Sequence, residues 1–144
     1  VVCDETLSAY PGVVAAGDVC RWPNNLFDGE LSRLEHWTNA VEQGAAAANR
    51  ILNENAPPFM PVPFVWSDQY DTKVQIAGMV RPDDEVLVFD GTISDHRFTA
   101  ITGRNQKLTG VVGFNRPRLV IQCRRLIAEQ TPWDQAVEML TSSP

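Results

Sequence analysis

The sequence predicts an α+β protein in two parts, and three observations carry that expectation. Residues 57–144 hold five short runs rich in β-branched and aromatic residues, separated by turn material. Two amphipathic helical patterns then close the chain. Residues 1–56 read differently, as strand, turn, polar loop and helix, the pattern of an α/β layer. With 144 residues, 44% hydrophobic and 21% charged, the chain is long enough to bury a core without a disulfide or metal staple.

In the first part, Val1-Val2-Cys3-Asp4 carries no initiator Met and no leader-like apolar region. It reads as a strand entered partway, hence as a piece of a longer chain. Tyr10-Pro11-Gly12 is a turn signal, and the apolar run Val13-Val14-Ala15-Ala16 ends at Gly17. A run this short suits a strand buried on both faces, as in a parallel sheet. Asp18 then sits just past its carboxyl end, where open α/β sheets bind ligands. A polar loop over 21–33 leads to a helix with Asn39 as N-cap and Glu42 completing a capping box. Val41, Ala45, Ala48 and Leu52 recur at helical spacing along it, and Pro57-Pro58 stops it.

In the second part, strands are expected over 63–67, 73–78, 85–90, 97–102 and 107–114. Short turns between them, such as Asp83-Asp84 and Gly103-Arg104-Asn105, predict an antiparallel meander. A helix starting at Asn115 places Leu119, Val120, Cys123, Leu126 and Ile127 on one face. A last helix is expected to be capped by Thr131, with Pro132 at its first position and Asp134 in its first turn.

Several function classes are disfavoured. A net charge of −6 argues against binding a phosphate backbone. No apolar run approaches the roughly 20 residues of a membrane span. Cys3, Cys20 and Cys123 are far apart and form no C-x-x-C pair, so zinc ribbons and disulfide scaffolds are disfavoured and reduced thiols in a cytoplasmic protein are expected. His36 and His96 head no ligand-spaced motif, and no metal site is expected. No nucleophile elbow, P-loop or G-x-G-x-x-G is present, and no catalytic residue is assigned. Charge is nonetheless segregated: seven basic and no acidic residues lie between Arg97 and Arg125. Such a strip either steers an acidic partner or is a solvated face.

What remains is half of a site. Gly17-Asp18 follows an apolar strand, and Glu35-His36-Trp37 leads into a helix whose first N–H groups favour an electron-rich ligand. Asp18 can accept hydrogen bonds from sugar hydroxyls, and Trp66 offers a flat wall. Together these suit a flavin, although Asp18 could equally cap a loop and the tryptophans could be core.

The residues 13–19, Val-Val-Ala-Ala-Gly-Asp-Val, resemble the second flavin-contacting motif of the FAD-dependent pyridine nucleotide oxidoreductases. The stretches 35–44 (Glu-His-Trp-Thr-Asn-Ala-Val-Glu-Gln-Gly) and 61–70 (Pro-Val-Pro-Phe-Val-Trp-Ser-Asp-Gln-Tyr), with Asn115-Arg116-Pro117, are similar to the putidaredoxin reductase-like ferredoxin and rubredoxin reductase branch. The resemblance implies that residues 1–56 end an α/β FAD-binding domain and that 57–144 form a C-terminal reductase domain with an antiparallel sheet and two helices. It implies FAD as cofactor, NAD(P)H as co-substrate and a ferredoxin or rubredoxin-type acceptor. By the same resemblance Gly17 and Asp18 hold the ribityl chain, and His36 and Trp37 meet the pyrimidine end. Glu35 and Trp66 lie near nicotinamide and flavin, and Asn115, Arg116 and Arg118 dock the acceptor. Disulfide reductases share the Gly-Asp motif but place a Pro after a C-terminal His, which neither His36 nor His96 has. The alternative from another class is a non-catalytic interaction module, for instance one face of a homodimer.

Overall fold

The computed structural model describes residues 1–142, which fall in two compact units, Val1–Pro63 and a second that begins at Phe64.

The first unit is built from two small antiparallel ribbons and one helix. Strands β1 (Ser8–Tyr10) and β2 (Val13–Val14) form a hairpin around Pro11-Gly12. The run at 13–16 is therefore not a strand buried in a parallel sheet. It turns back on the residues just before it, and Val13 is half exposed. Only one parallel bridge occurs, Val2 beside Arg21, where a longer strand was expected. The polar loop at 21–33 is itself a ribbon, β3 (Trp22–Asn24) paired with β4 (Glu30–Ser32). Asn24 shapes its turn by accepting the Leu26 N–H at 3.1 Å. Cys3, Leu7, Cys20, Trp22 and Ala47 form the core, flanked by Ala15, Ala16, Leu34 and Phe59 among others.

Helix α1 (Trp37–Leu52) starts three residues earlier than its expected first residue, with His36 at the N-cap position. Asn39 is thus inside the helix and buried, with its Nδ2 donating to the Leu34 carbonyl at 3.1 Å, and does not cap it. The apolar stripe is also turned outward. Val41, Ala45, Ala48 and Leu52 are exposed, Leu52 at 87%, and the buried side is Asn39, Gln43 and Ala47. Periodicity identifies an apolar face but not what lies against it.

The expected domain boundary at 56/57 and the observed division differ by residues 57–63. Those residues are tied to the first unit by hydrogen bonds. Phe59 N–H donates to the Glu5 carbonyl at 2.7 Å, and the Phe59 and Pro61 carbonyls accept Trp22 Nε1–H and Asn24 Nδ2–H.

The second unit is α+β, as expected. Strands β5 (Phe64–Gln69), β6 (Thr72–Gly78), β7 (Glu85–Thr92), β8 (Arg97–Arg104) and β9 (Lys107–Phe114) form one antiparallel sheet in the order β5-β6-β9-β8-β7. Every strand lies within two residues of its expected span, but only β7-β8-β9 is a meander. The chain leaves β6, crosses past β9 and starts β7 at the far edge. Gly110 permits that crossing, because a Cβ there would sit 2.8 Å from Val80 Cγ2. Asp84 closes the crossing segment by accepting the Arg81 N–H at 2.8 Å and pairing with Arg104 at 2.5 Å.

Helices α2 (Pro117–Ala128) and α3 (Trp133–Thr141) cover one face of the sheet. A Cβ at Gly113 would lie 2.3 Å from Val120, so the bare backbone lets α2 settle closely. α2 buries Val120, Cys123, Leu126 and Ile127, as its pattern predicts. It starts after Asn115, which is in the left-handed region and cannot be helical. α3 also starts later than expected. Pro132 holds its N-cap position, and the Thr131 carbonyl accepts the Leu108 N–H at 3.1 Å, which ties the helix entry to β9.

Candidate functional site

In the first unit the structure sets the Gly17–Val19 turn, which carries Asp18, against helix α1 at Ala40 and Gln43. His36 holds the N-cap position of that helix, Trp37 is its first residue, and Glu35 precedes them in the chain. Gly17 has φ +74 and opens a single 3-10 turn, Gly17–Val19, that presents Asp18 to solvent. The turn is anchored from below. Gly17 N–H donates to Gln43 Oε1 at 2.8 Å in a fully buried hydrogen bond, and a Cβ on Gly17 would lie 3.5 Å from Ala40 Cβ. The turn is therefore fixed against the first half of α1.

The start of α1 is chemically open. His36 offers no side-chain cap, and the first helical N–H groups lack intrahelical acceptors by construction. Three polar atoms in this neighbourhood are buried without a hydrogen-bond partner: His36 Nδ1, Asn39 Oδ1 and Gln43 Nε2. The Gln43 side chain reaches Cys20 in the core, and the other two atoms lie at or within the first turn of α1. Buried polar atoms are nearly always satisfied, so His36 Nδ1 and Asn39 Oδ1 mark a place for a polar ligand. Trp37 stands 74% exposed at the helix start. Glu35 is drawn to Arg33, 2.5 Å away on the surface. Asn39 and Gln43, one helical turn apart, had no role in the sequence reading. Two uncharged amides at i and i+4 on a helix with an apolar stripe elsewhere were the available signal.

The other expected site residues lie in the second unit. Trp66 is on the edge strand β5, partly exposed, with its ring 5.9 Å from that of Phe64. Of the three docking candidates, two make contacts within the unit. Asn115 pairs with Lys73 in both directions, donating its N–H to the Lys73 carbonyl at 2.9 Å and accepting the Lys73 N–H on Oδ1 at 2.8 Å. Arg116 is bound to Asp90 through a short Nε–Oδ2 contact. Arg118 is exposed and has no ion-pair partner among the described residues. Three of the seven basic residues of the strip meet carboxylates: Arg104 meets Asp84, Arg116 meets Asp90, and Arg125 meets Glu129. Their acidic partners lie outside the 97–125 segment, where linear charge counting does not see them.

Asn115→Ala removes the Lys73 bond and forces a side chain without a polar group into φ +54. We expect a loss of about 1–3 kcal/mol from the second unit, read by urea denaturation. Asn115→Gly, which keeps the backbone relaxed, should lose less; equal losses would mean the conformation contributes nothing.

Residues 64–141 match the protein family described as reductase C-terminal, which is more than half of the chain. The chain belongs to that family. As a whole, this reductase C-terminal chain is similar to the ferredoxin–NAD(+) reductase component of the 3-phenylpropionate/cinnamic acid dioxygenase of Photorhabdus laumondii. The two are 29% identical over 96% of this chain and 34% of that protein. It is 32% identical to rhodocoxin reductase of Rhodococcus erythropolis over 92% of this chain and 30% of that one. Among solved structures, it superimposes on putidaredoxin reductase in its covalent complex with putidaredoxin, with a TM-score of 0.81 at 27% identity over 92% of this chain and 31% of that one. The ferredoxin reductase for the CYP199A2 system of Rhodopseudomonas palustris gives a TM-score of 0.81 at 28% identity, over 98% and 35%. This reductase C-terminal chain thus spans about a third of the length of the relatives it matches.

Among the described residues, no three His, Cys, Asp or Glu side chains converge as a metal site would require. No helix among them is long and apolar enough to cross a membrane.

Proposed function

We propose that the chain supplies one wall of a flavin site and the C-terminal domain of a reductase that passes electrons from NAD(P)H through FAD to a small ferredoxin or rubredoxin-type protein. The observation that carries this reading is the Gly17–Asp18 turn, fixed by Gln43 against a helix whose uncapped start holds two orphaned buried polar atoms, His36 Nδ1 and Asn39 Oδ1. Those residues fit FAD. Asp18 holds an acceptor-only carboxylate in solvent, suited to the ribityl hydroxyls. The first turn of α1 offers N–H donors and the positive end of its dipole to the electron-rich pyrimidine edge. FAD, when bound, supplies the chemistry: it takes a hydride from a nicotinamide and releases electrons singly. The protein's contribution is to orient and tune, with Trp37 as a candidate ring wall in the first unit, and with Asn115, Arg116 and Arg118 in the second as candidates for docking an acidic acceptor.

The outward face of α1 supports placing residues 1–56 at the end of an FAD-binding domain. Trp37, Val41, Ala45, Ala48, Ile51 and Leu52 are apolar and exposed, as on a helix that packs against further elements.

Half a site binds weakly, so the test uses millimolar FAD and amide NMR spectra of the 144-residue chain. We expect shifts concentrated at Gly17, Asp18 and the first turn of α1, and their loss in Asp18→Ala. Shifts spread evenly over both units, or unchanged in the variant, would refute the flavin reading.

A further inference from the structure

We propose that Cys3 and Cys20 constitute a disulfide-forming dithiol site that reacts with low-molecular-weight disulfides such as oxidised glutathione. Both thiols are free and buried in the core of the first unit, and their Sγ atoms lie 3.8 Å apart. Bond formation needs a closing movement of under about 2 Å. The backbone already holds the two segments together, through the Val2–Arg21 bridge and the Cys3 N–H donated to the Arg21 carbonyl at 2.8 Å. The third thiol, Cys123, lies on α2 in the second unit and has no such neighbour.

The pair is wired to the turn that presents Asp18. Cys20 N–H donates to the Gly17 carbonyl at 2.9 Å, and Gly17 N–H donates to Gln43 Oε1. The Gln43 side chain also reaches Cys20, and its buried amide nitrogen, which makes no full hydrogen bond, favours the thiolate there. Burial first, and then the Cys3 thiol, push Cys20 up to about 12. The thiolate fraction is therefore small at neutral pH and grows as pH rises.

The reaction balances without further reagents. One of the two thiolates attacks one sulfur of oxidised glutathione, breaking its S–S bond and releasing one glutathione thiolate. The other thiolate then attacks the cysteine sulfur of the mixed disulfide and releases the second glutathione. Two cysteines are oxidised by two electrons, one glutathione disulfide is reduced to two thiols, and the two cysteine protons end on glutathione.

The test exposes the full chain to oxidised glutathione at several pH values, traps free thiols by alkylation in denaturant, and maps peptides by mass spectrometry. We expect a Cys3–Cys20 linked peptide, lighter by two hydrogens. It should form at least about tenfold faster than Cys123 acquires glutathione, at a rate rising with pH. Cys123→Ser should leave that rate unchanged, and Cys20→Ser should abolish the link. Persistent glutathione adducts without linkage, linkage to Cys123, or a linked peptide that forms only in unfolding urea would each overturn the proposal. No flavin enters the experiment, so its outcome is independent of the flavin reading.

Discussion

Replacing Trp22 by Ala is expected to unfold most of the first unit while leaving the second intact. Trp22 is fully buried, packs its ring 5.7 Å from that of Phe59, and donates Nε1–H to the Phe59 carbonyl at 3.1 Å. Truncating a core Trp costs about 3–5 kcal/mol through lost transfer energy and the cavity left behind. A unit the size of Val1–Pro63 has only about 3–9 kcal/mol in total, at 0.05–0.15 kcal/mol per residue. Trp22→Phe keeps most of the packing and removes the hydrogen bond, which should cost about 1–3 kcal/mol. Amide hydrogen exchange reads the difference: in Trp22→Ala the α1 amides should lose protection and the β8 and β9 amides should keep it. Unchanged α1 protection would mean Trp22 is not the keystone of this core.

Alkaline pH should weaken the second unit through one side chain. Burial pushes the Cys123 thiol from 9.0 up to about 12. The folded value is raised, so the protonated thiol is the favoured form in the native state. The stabilisation is complete below pH 9, where both states hold the proton. It falls as pH rises, because the unfolded chain ionises first. The slope is about 1.4 kcal/mol per pH unit and the whole window to pH 12 is worth about 4 kcal/mol. Cys123→Ala should be less stable than the parent at pH 8 but lack this slope, so their difference should shrink between pH 9 and 11. Parallel stability curves would show that the thiol ionises freely in the folded state.

These expectations rest on features of unequal visibility in the sequence. The strands of the second unit were legible because each is bracketed by Gly, Asp or Asn turns, which localise strand ends well. Their order was not. An alternating pattern shows that a strand is half-buried but not which neighbour it takes, and only the space left by Gly110 reveals the crossing from β6 to β7. In the first unit, the Gly17-Asp18 turn packs against the helix that the Glu35-His36-Trp37 stretch leads into. Its anchor, Gln43, was hidden because one buried amide looks like any other polar helix residue. The side of α1 that faces the core was missed for the opposite reason. Its apolar stripe is real, and the smaller, partly polar side is the one that packs. The ion pairs of the basic strip were invisible because two of its counter-charges are remote in sequence, Asp84 and Asp90 lying 20 and 26 positions from the arginines they meet.

The outward stripe of α1 also has a consequence for handling. A helix that shows Trp, Ile and Leu to water makes the chain adhesive to its own copies, and a formal charge of −6 opposes that contact only while salt is low. Raising ionic strength should therefore promote clustering, and chilling should reverse it, since attraction between apolar surfaces weakens in the cold. Cold, dilute, low-salt buffer is the condition in which this chain stays dispersed.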